Sequence, residues 1–169
     1  MIKLRIDLLG GCSASLGSDQ PCVFPTRKSL ALLAYLAVPA GRFHAREKLT
    51  AMFWGDTPEA QASQSFRQAL LSIRRALRSS PRPILLTRSG AVALDPEAVT
   101  VDVALLEAAL TDGGMEALER AAVLCKGEFL ADLNLNEEAF EAWRAVERQR
   151  VNALVAEALS NLVDLQEAG

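Results

Sequence analysis

The stretch from Phe66 to Arg78, FRQALLSIRRALR, decides how this chain is read. Taken back to Ala62, its apolar positions are Ala62, Phe66, Ala69, Leu70, Ile73 and Leu77. Spacing by three and four places them on one side of a helix. The opposite side, at about 100° per residue, carries Gln64, Arg67, Gln68, Arg75 and Arg78, with Arg74 at the border. Four arginines and no acid therefore share one short segment of a chain whose net charge is -3. A solvated face accounts for a lone arginine-rich helix as readily as a ligand does. From Gln64 to Arg78, however, such a helix is about 21 Å long, which suits a major groove roughly 12 Å wide. Arg and Gln are also the side chains that pair two hydrogen bonds with guanine and adenine edges. Leu71 sits amid the polar face, where it either meets a thymine methyl or, with the wheel slightly rotated, turns into the core.

Working outward, PTRKSLALLAYLAV opens a helix at Pro25 with Thr26 as its cap; Leu30, Leu33 and Leu36 or Ala37 form its stripe, and Pro39 and Gly41 end it. AREKLTAMFW predicts a second, short helix with Leu49, Met52 and Phe53 inward and Trp54 at its end. DTPEAQ begins the third: Asp56 or Thr57 can cap, Pro58 suits the first turn, and Glu59 favours the positive end of the dipole. Beyond it, ILLTRSGAVAL reads as a hairpin closed by a two-residue turn at Ser89-Gly90, with Arg88 beside the tip. Helix, helix, basic helix, hairpin is the order of a winged helix, whose last helix enters the major groove. The first 24 residues alternate, with Ile2, Leu4, Ile6 and Leu8 opposite Lys3, Arg5 and Asp7, and predict three short antiparallel strands.

The charge is divided along the chain. Residues 1 to 94 hold a net +8 and residues 95 to 169 a net -11, the pattern of one part that binds a polyanion and one that avoids it. Enzyme chemistry finds little to build on. His44 is the only histidine, no glycine-rich phosphate loop is present, and Cys12, Cys22 and Cys125 form no CxxC pair. The cysteines read as reduced packing residues; no catalytic residue, metal or cofactor is expected. The longest apolar run, LALLAYLAV at 30 to 38, is far short of the roughly 20 residues of a membrane span. With no apolar signal segment before Asp7, the cytoplasm is the expected location.

In the acidic part, DVALLEAALT at 102 to 111, with Asp102 as cap, and MEALERAAVLC at 115 to 125 read as helices. From Glu137 to about Ala168 runs one long helical pattern or two helices with a shallow bend. Between them KGEFLADLNLNEEAF places Phe129, Leu130, Leu133 and Leu135 in irregular chain that plugs into the helical core. Glu137, Glu138 and Glu141 read as a solvated helix start rather than acid/base groups. The end, LQEAG, lacks a polar cap and suggests that the intact protein continues. The fold class expected is mainly α with a small antiparallel β component: a winged helix-turn-helix over 1 to 94, then an all-α TPR-like domain over 95 to 169.

LLGGCSASL, FPTRKSLALLAYLAV, AREKLTAMFWGDTPEAQASQSFRQALLSIRRALR and LDPEAVTVDVALLEAAL together closely resemble the antibiotic regulatory protein (SARP) family. CKGEFLADLNLNEEAFEAWRAVERQRV is similar to its bacterial transcriptional activation domain. The resemblance implies an OmpR-type winged helix joined to that domain, in a transcriptional activator that binds direct repeats in double-stranded DNA near promoters and contacts RNA polymerase. Whether it forms a homodimer on DNA stays open. It also implies that Gln64, Arg67, Gln68, Arg74 and Arg75 lie on the recognition helix; Arg78 continues that face. Arg27, Lys28, Arg46, Lys48 and Arg88, at helix starts or the wing, are expected to meet the phosphate backbone. One departure is His44, where a small capping residue usually precedes the second helix. It is read as a poorer cap, a phosphate contact or, most plainly, a solvent-exposed loop residue. The alternative function is a helical interaction scaffold without DNA binding.

Overall fold

The computed structural model describes residues 2–18 and 20–169. Asp19, in the turn expected before the third strand, lies outside the described residues. The chain begins with β1 (Leu4–Asp7), β2 (Ser13–Leu16) and β3 (Gln20–Pro21), paired antiparallel in sequence order. Leu4 and Ile6 are fully buried while Arg5 is exposed, as the alternation requires. A strand not assigned from the sequence, β7 (Val99–Val101), pairs in parallel with β1 and completes a four-stranded sheet of order β3-β2-β1-β7. Three residues are too few for a period-2 count, but Val99 and Val101 turn inward and Thr100 does not.

The helices follow. α1 (Arg27–Leu36) starts at Thr26, whose hydroxyl accepts the Ser29 N–H. After β4 (His44–Ala45) come α2 (Arg46–Phe53) and α3 (Glu59–Ala76). Pro58, not Asp56 or Thr57, occupies the α3 cap position, and no side chain caps it. The Thr57 N–H is held by the Trp54 carbonyl at 3.2 Å, and Glu59 in the first turn favours the positive end of the dipole. β5 (Leu85–Arg88) and β6 (Ala91–Leu94) form the hairpin, and β4 pairs with β6 at its open edge. Ser89 and Gly90 both have positive φ, 49° and 75°, the type I′ geometry that suits a two-residue hairpin turn.

The remaining helices are α4 (Asp102–Asp112), α5 (Met115–Leu124) and a single unbroken α6 (Glu138–Ala168), which pack on one another around Leu106, Leu118, Ala158 and Leu162. Asp102 is the first residue of α4 rather than its cap. Its buried carboxylate accepts the N–H groups of Leu8, Leu9 and Val103 at 2.8, 2.9 and 2.8 Å, fastening α4 to the end of β1. Burial raises the pKa of this carboxyl, with the three N–H bonds opposing and Asp7 adding to the rise.

The largest core is continuous across residue 94. It joins β1, α1, α2, α3 and the hairpin to Phe129, Leu130, Leu133, Phe140 and Val151. The 126–137 segment is thus plugged not into the three-helix array alone, as the sequence suggested, but between that array and the winged helix. Leu130 holds φ 50°, its N–H bonded to the Leu8 carbonyl at 2.8 Å. Its carbonyl accepts from Arg144 at 2.9 Å and Arg148 at 3.3 Å. Among the described residues no helix is long and apolar enough to cross a membrane.

Candidate nucleic-acid interface

The α3 stripe is buried as its spacing requires: Ala62, Phe66, Ala69, Leu70, Ile73 and Leu77 are at most 7% exposed. Gln64, Arg67, Gln68, Arg74, Arg75 and Arg78 are all exposed on the other side. Leu71 is 39% exposed, so it belongs to the polar face and not to the core. No acid among the described residues forms an ion pair with Arg67, Arg74, Arg75 or Arg78. Arg74 and Arg75 lie in the last turn, where positive charge complements the dipole by about 0.3–1 kcal/mol. Arg67, in mid-helix, gains nothing from that end effect.

Two flanks border this face. On one, α2 and α3 enclose a groove of about 550 Å³ lined by Arg46, Thr50, Ser63 and Arg67. The Arg46 guanidinium lies 5.8 Å from the centre of the Phe66 ring, and its backbone N–H donates to the Gly90 carbonyl at 3.1 Å. The start of α2, the hairpin tip and the first half of α3 are therefore held together. Arg88 is exposed at the tip with its guanidinium 4.2 Å from the Phe43 ring centre, a contact that orders it without neutralising it.

On the other flank, a groove of about 750 Å³ brings Gln64 and Gln68 together with Arg27, Lys28, Asn134 and Asn136. Here the two α1 cations are engaged internally. Arg27 donates to the Asp132 carbonyl at 2.8 Å, and Lys28 pairs with Glu137 at 2.8 Å while lying 5.3 Å from the centre of the Trp54 ring. Sequence reasoning missed Asn134 and Asn136, because only the fold returns that segment to α3.

Lys48 is not in either groove. It lies about 200° round α2 from Arg46, beside Arg42 and His44 in a separate cleft. His44 itself corrects the sequence reading: it is 4% exposed, paired through β4 with Val92, and its ring lies 4.8 Å from that of Tyr35. Burial, then the charges of Lys48 and Arg42, lower its pKa to about 4, so the imidazole is neutral near pH 7. Ala45 precedes α2 and no side chain caps it. Among the described residues no group of acids, cysteines and histidine is arranged to hold a metal ion.

Fold and surface together define a winged helix followed by a three-helix array. The fold is similar to that of EmbR from Mycobacterium tuberculosis, solved in complex with a low-affinity phosphopeptide, with a TM-score of 0.74 and 22% identity. The match covers 94% of this chain and 46% of that one, so the present chain spans about half the length of EmbR. No protein-family model matches the chain, and no curated protein does. The likeness to EmbR is one of fold.

Proposed function

We propose that the protein is a transcriptional regulator of the SARP type, a sequence-specific activator that reads double-stranded DNA with α3. The observation that carries this reading is the exposed face of α3, where Arg67, Arg74 and Arg75, without acidic partners, lie with Gln64 and Gln68, and Arg78 follows in the turn just past the helix. Its setting supports it, since the hairpin tip and Arg46 flank the same helix. In this reading Arg67, Gln64 and Gln68 meet base edges, while Arg46, Arg74, Arg75, Arg78 and Arg88 meet phosphates. Arg27, Lys28 and Lys48 are lesser contributors, the first two because acidic-part groups already engage them. The acidic part, net -11, stays off the DNA and offers its helices to RNA polymerase.

The functional division at residue 94 follows charge, with the DNA-binding part before it and the activation part after it. The cytoplasm is the compartment where this activity belongs. Selection of the whole chain against random duplexes, followed by footprinting of the enriched sequence, tests the proposal. A protected pair of direct repeats is expected. Absence of any duplex affinity at low salt would leave the interaction scaffold as the function.

A further inference from the structure

A cleft lies on the far side of α2 from the proposed DNA-reading face and, apart from Lys48 at its edge, shares no residue with it. It has a volume of about 550 Å³ and lies between the end of α1, β4 and α2 on one side and β7, α4 and α6 on the other. That size is typical of small-molecule sites. Val38, Pro96, Val101, Val103 and the Trp143 ring supply apolar wall. His44 lines it too, a nine-tenths buried side chain whose Nε2 has no hydrogen-bond partner among the described residues. An orphan buried nitrogen is uncommon enough to call for an explanation. A half-turn about the Cβ–Cγ bond exchanges Nδ1 with Cδ2 and Nε2 with Cε1, so either edge of the ring, each carrying one nitrogen, can face the cleft.

The charges in the cleft are unequal. Across it, a single Arg150 is shared by Glu107 at 3.2 Å and Glu147 at 3.0 Å, which leaves that wall one negative charge against the two positive charges of Arg42 and Lys48. Arg42 and Lys48 line the opposite wall and have no ion-pair partner among the described residues. The uncompensated charge is thus positive and sits at the edge of an apolar hollow.

We infer that this cleft is a binding site for a small organic anion with an aromatic or otherwise apolar body. Its acid group sits between Arg42 and Lys48, its body lies against Val101, Val103 and Trp143, and the His44 imidazole hydrogen-bonds a polar atom of it. Since the walls come from both parts of the chain, an occupant braces the winged helix against α4 and α6. The inference does not depend on DNA binding.

The single histidine makes the test clean. The whole chain, labelled with ¹⁵N, is titrated with 1-anilinonaphthalene-8-sulfonate and, separately, with uncharged N-phenyl-1-naphthylamine, while the His44 imidazole signals are followed by NMR. Saturable one-to-one binding of the sulfonate that shifts the His44 signals is expected, with the uncharged dye at least tenfold weaker. Arg42→Gln should weaken the sulfonate about tenfold, and Ala104→Trp, at an exposed cleft position, should block it. Unchanged far-ultraviolet circular dichroism shows that each variant is folded. Sulfonate binding that leaves the His44 signals in place, equal affinity for both dyes, insensitivity to both substitutions, or no saturable binding would each overturn the inference.

Discussion

His44 shows how much a single side chain's surroundings govern. Its pKa falls from an ordinary 6.5 to about 4 in the fold, so between those values the unfolded chain binds the extra proton. Its contribution to stability is therefore complete above about pH 6.5 and is lost as the pH falls through about 4. Urea unfolding of the wild type and His44→Phe across pH 4 to 8 should show the wild type losing stability more steeply on acidification. Parallel curves would contradict this. Gly10 is a second position of this kind: φ is 95°, and a Cβ there would stand 3.0 Å from the Lys126 carbonyl carbon. Gly10→Ala should destabilise by about 1–3 kcal/mol. Gly113→Ala, at φ 75° with nothing within 4 Å, should carry only the smaller conformational part of that cost, and equal losses in urea midpoint would refute the close-approach account. Cys12 fits its reading as a packing residue, its thiol pushed up to about 12 by burial first and then by Asp132, Asp102 and Asp7.

At the scale of elements, α3 was legible because its stripe and its arginines obey one period, and the hairpin because Ser89-Gly90 permits only a tight turn of that hand. β7 and the cap of α3 were not, since three residues hold no period and the cap falls one residue past Thr57, at Pro58, with no side-chain bond there. The candidate site was legible as residue types and only partly as an arrangement. Arg46, Arg67 and the tip do come together, whereas Lys48 faces the other way and Lys28 meets Glu137. Substitutions should divide accordingly. Arg88→Ala should weaken binding to all duplexes alike and lower the slope of log affinity against log salt by roughly one unit. Lys28→Ala should leave that slope unchanged and appear instead as a lowered thermal midpoint. A one-unit drop in the Lys28 variant would return it to the phosphate contacts.

In the whole molecule, charge divides near residue 94 but packing does not. Phe129 and Phe140, both fully buried, complete a core begun by β1 and α1, and the 9% exposed Arg144 fastens the intervening segment through Leu130, Asn134 and Glu141. Sequence patterns report neighbours along an element, so the apolar run around Phe129 was legible as buried while the surface it fills was not. Phe129→Ala should cost about 3–5 kcal/mol, and the loss should appear equally in probes placed in α1 and in α6; a transition confined to α6 would mean that the two parts fold independently. The central claim, that α3 reads sequence, is tested most directly by the ratio of affinities for the selected duplex and a random duplex at one fixed salt concentration. Arg67→Ala is expected to lose about 1–3 kcal/mol on the selected duplex and much less on the random one, so that the ratio falls. If Gln64, Arg67, Gln68, Arg74 and Arg75 can each be replaced by alanine with that ratio unchanged, α3 is not the recognition helix.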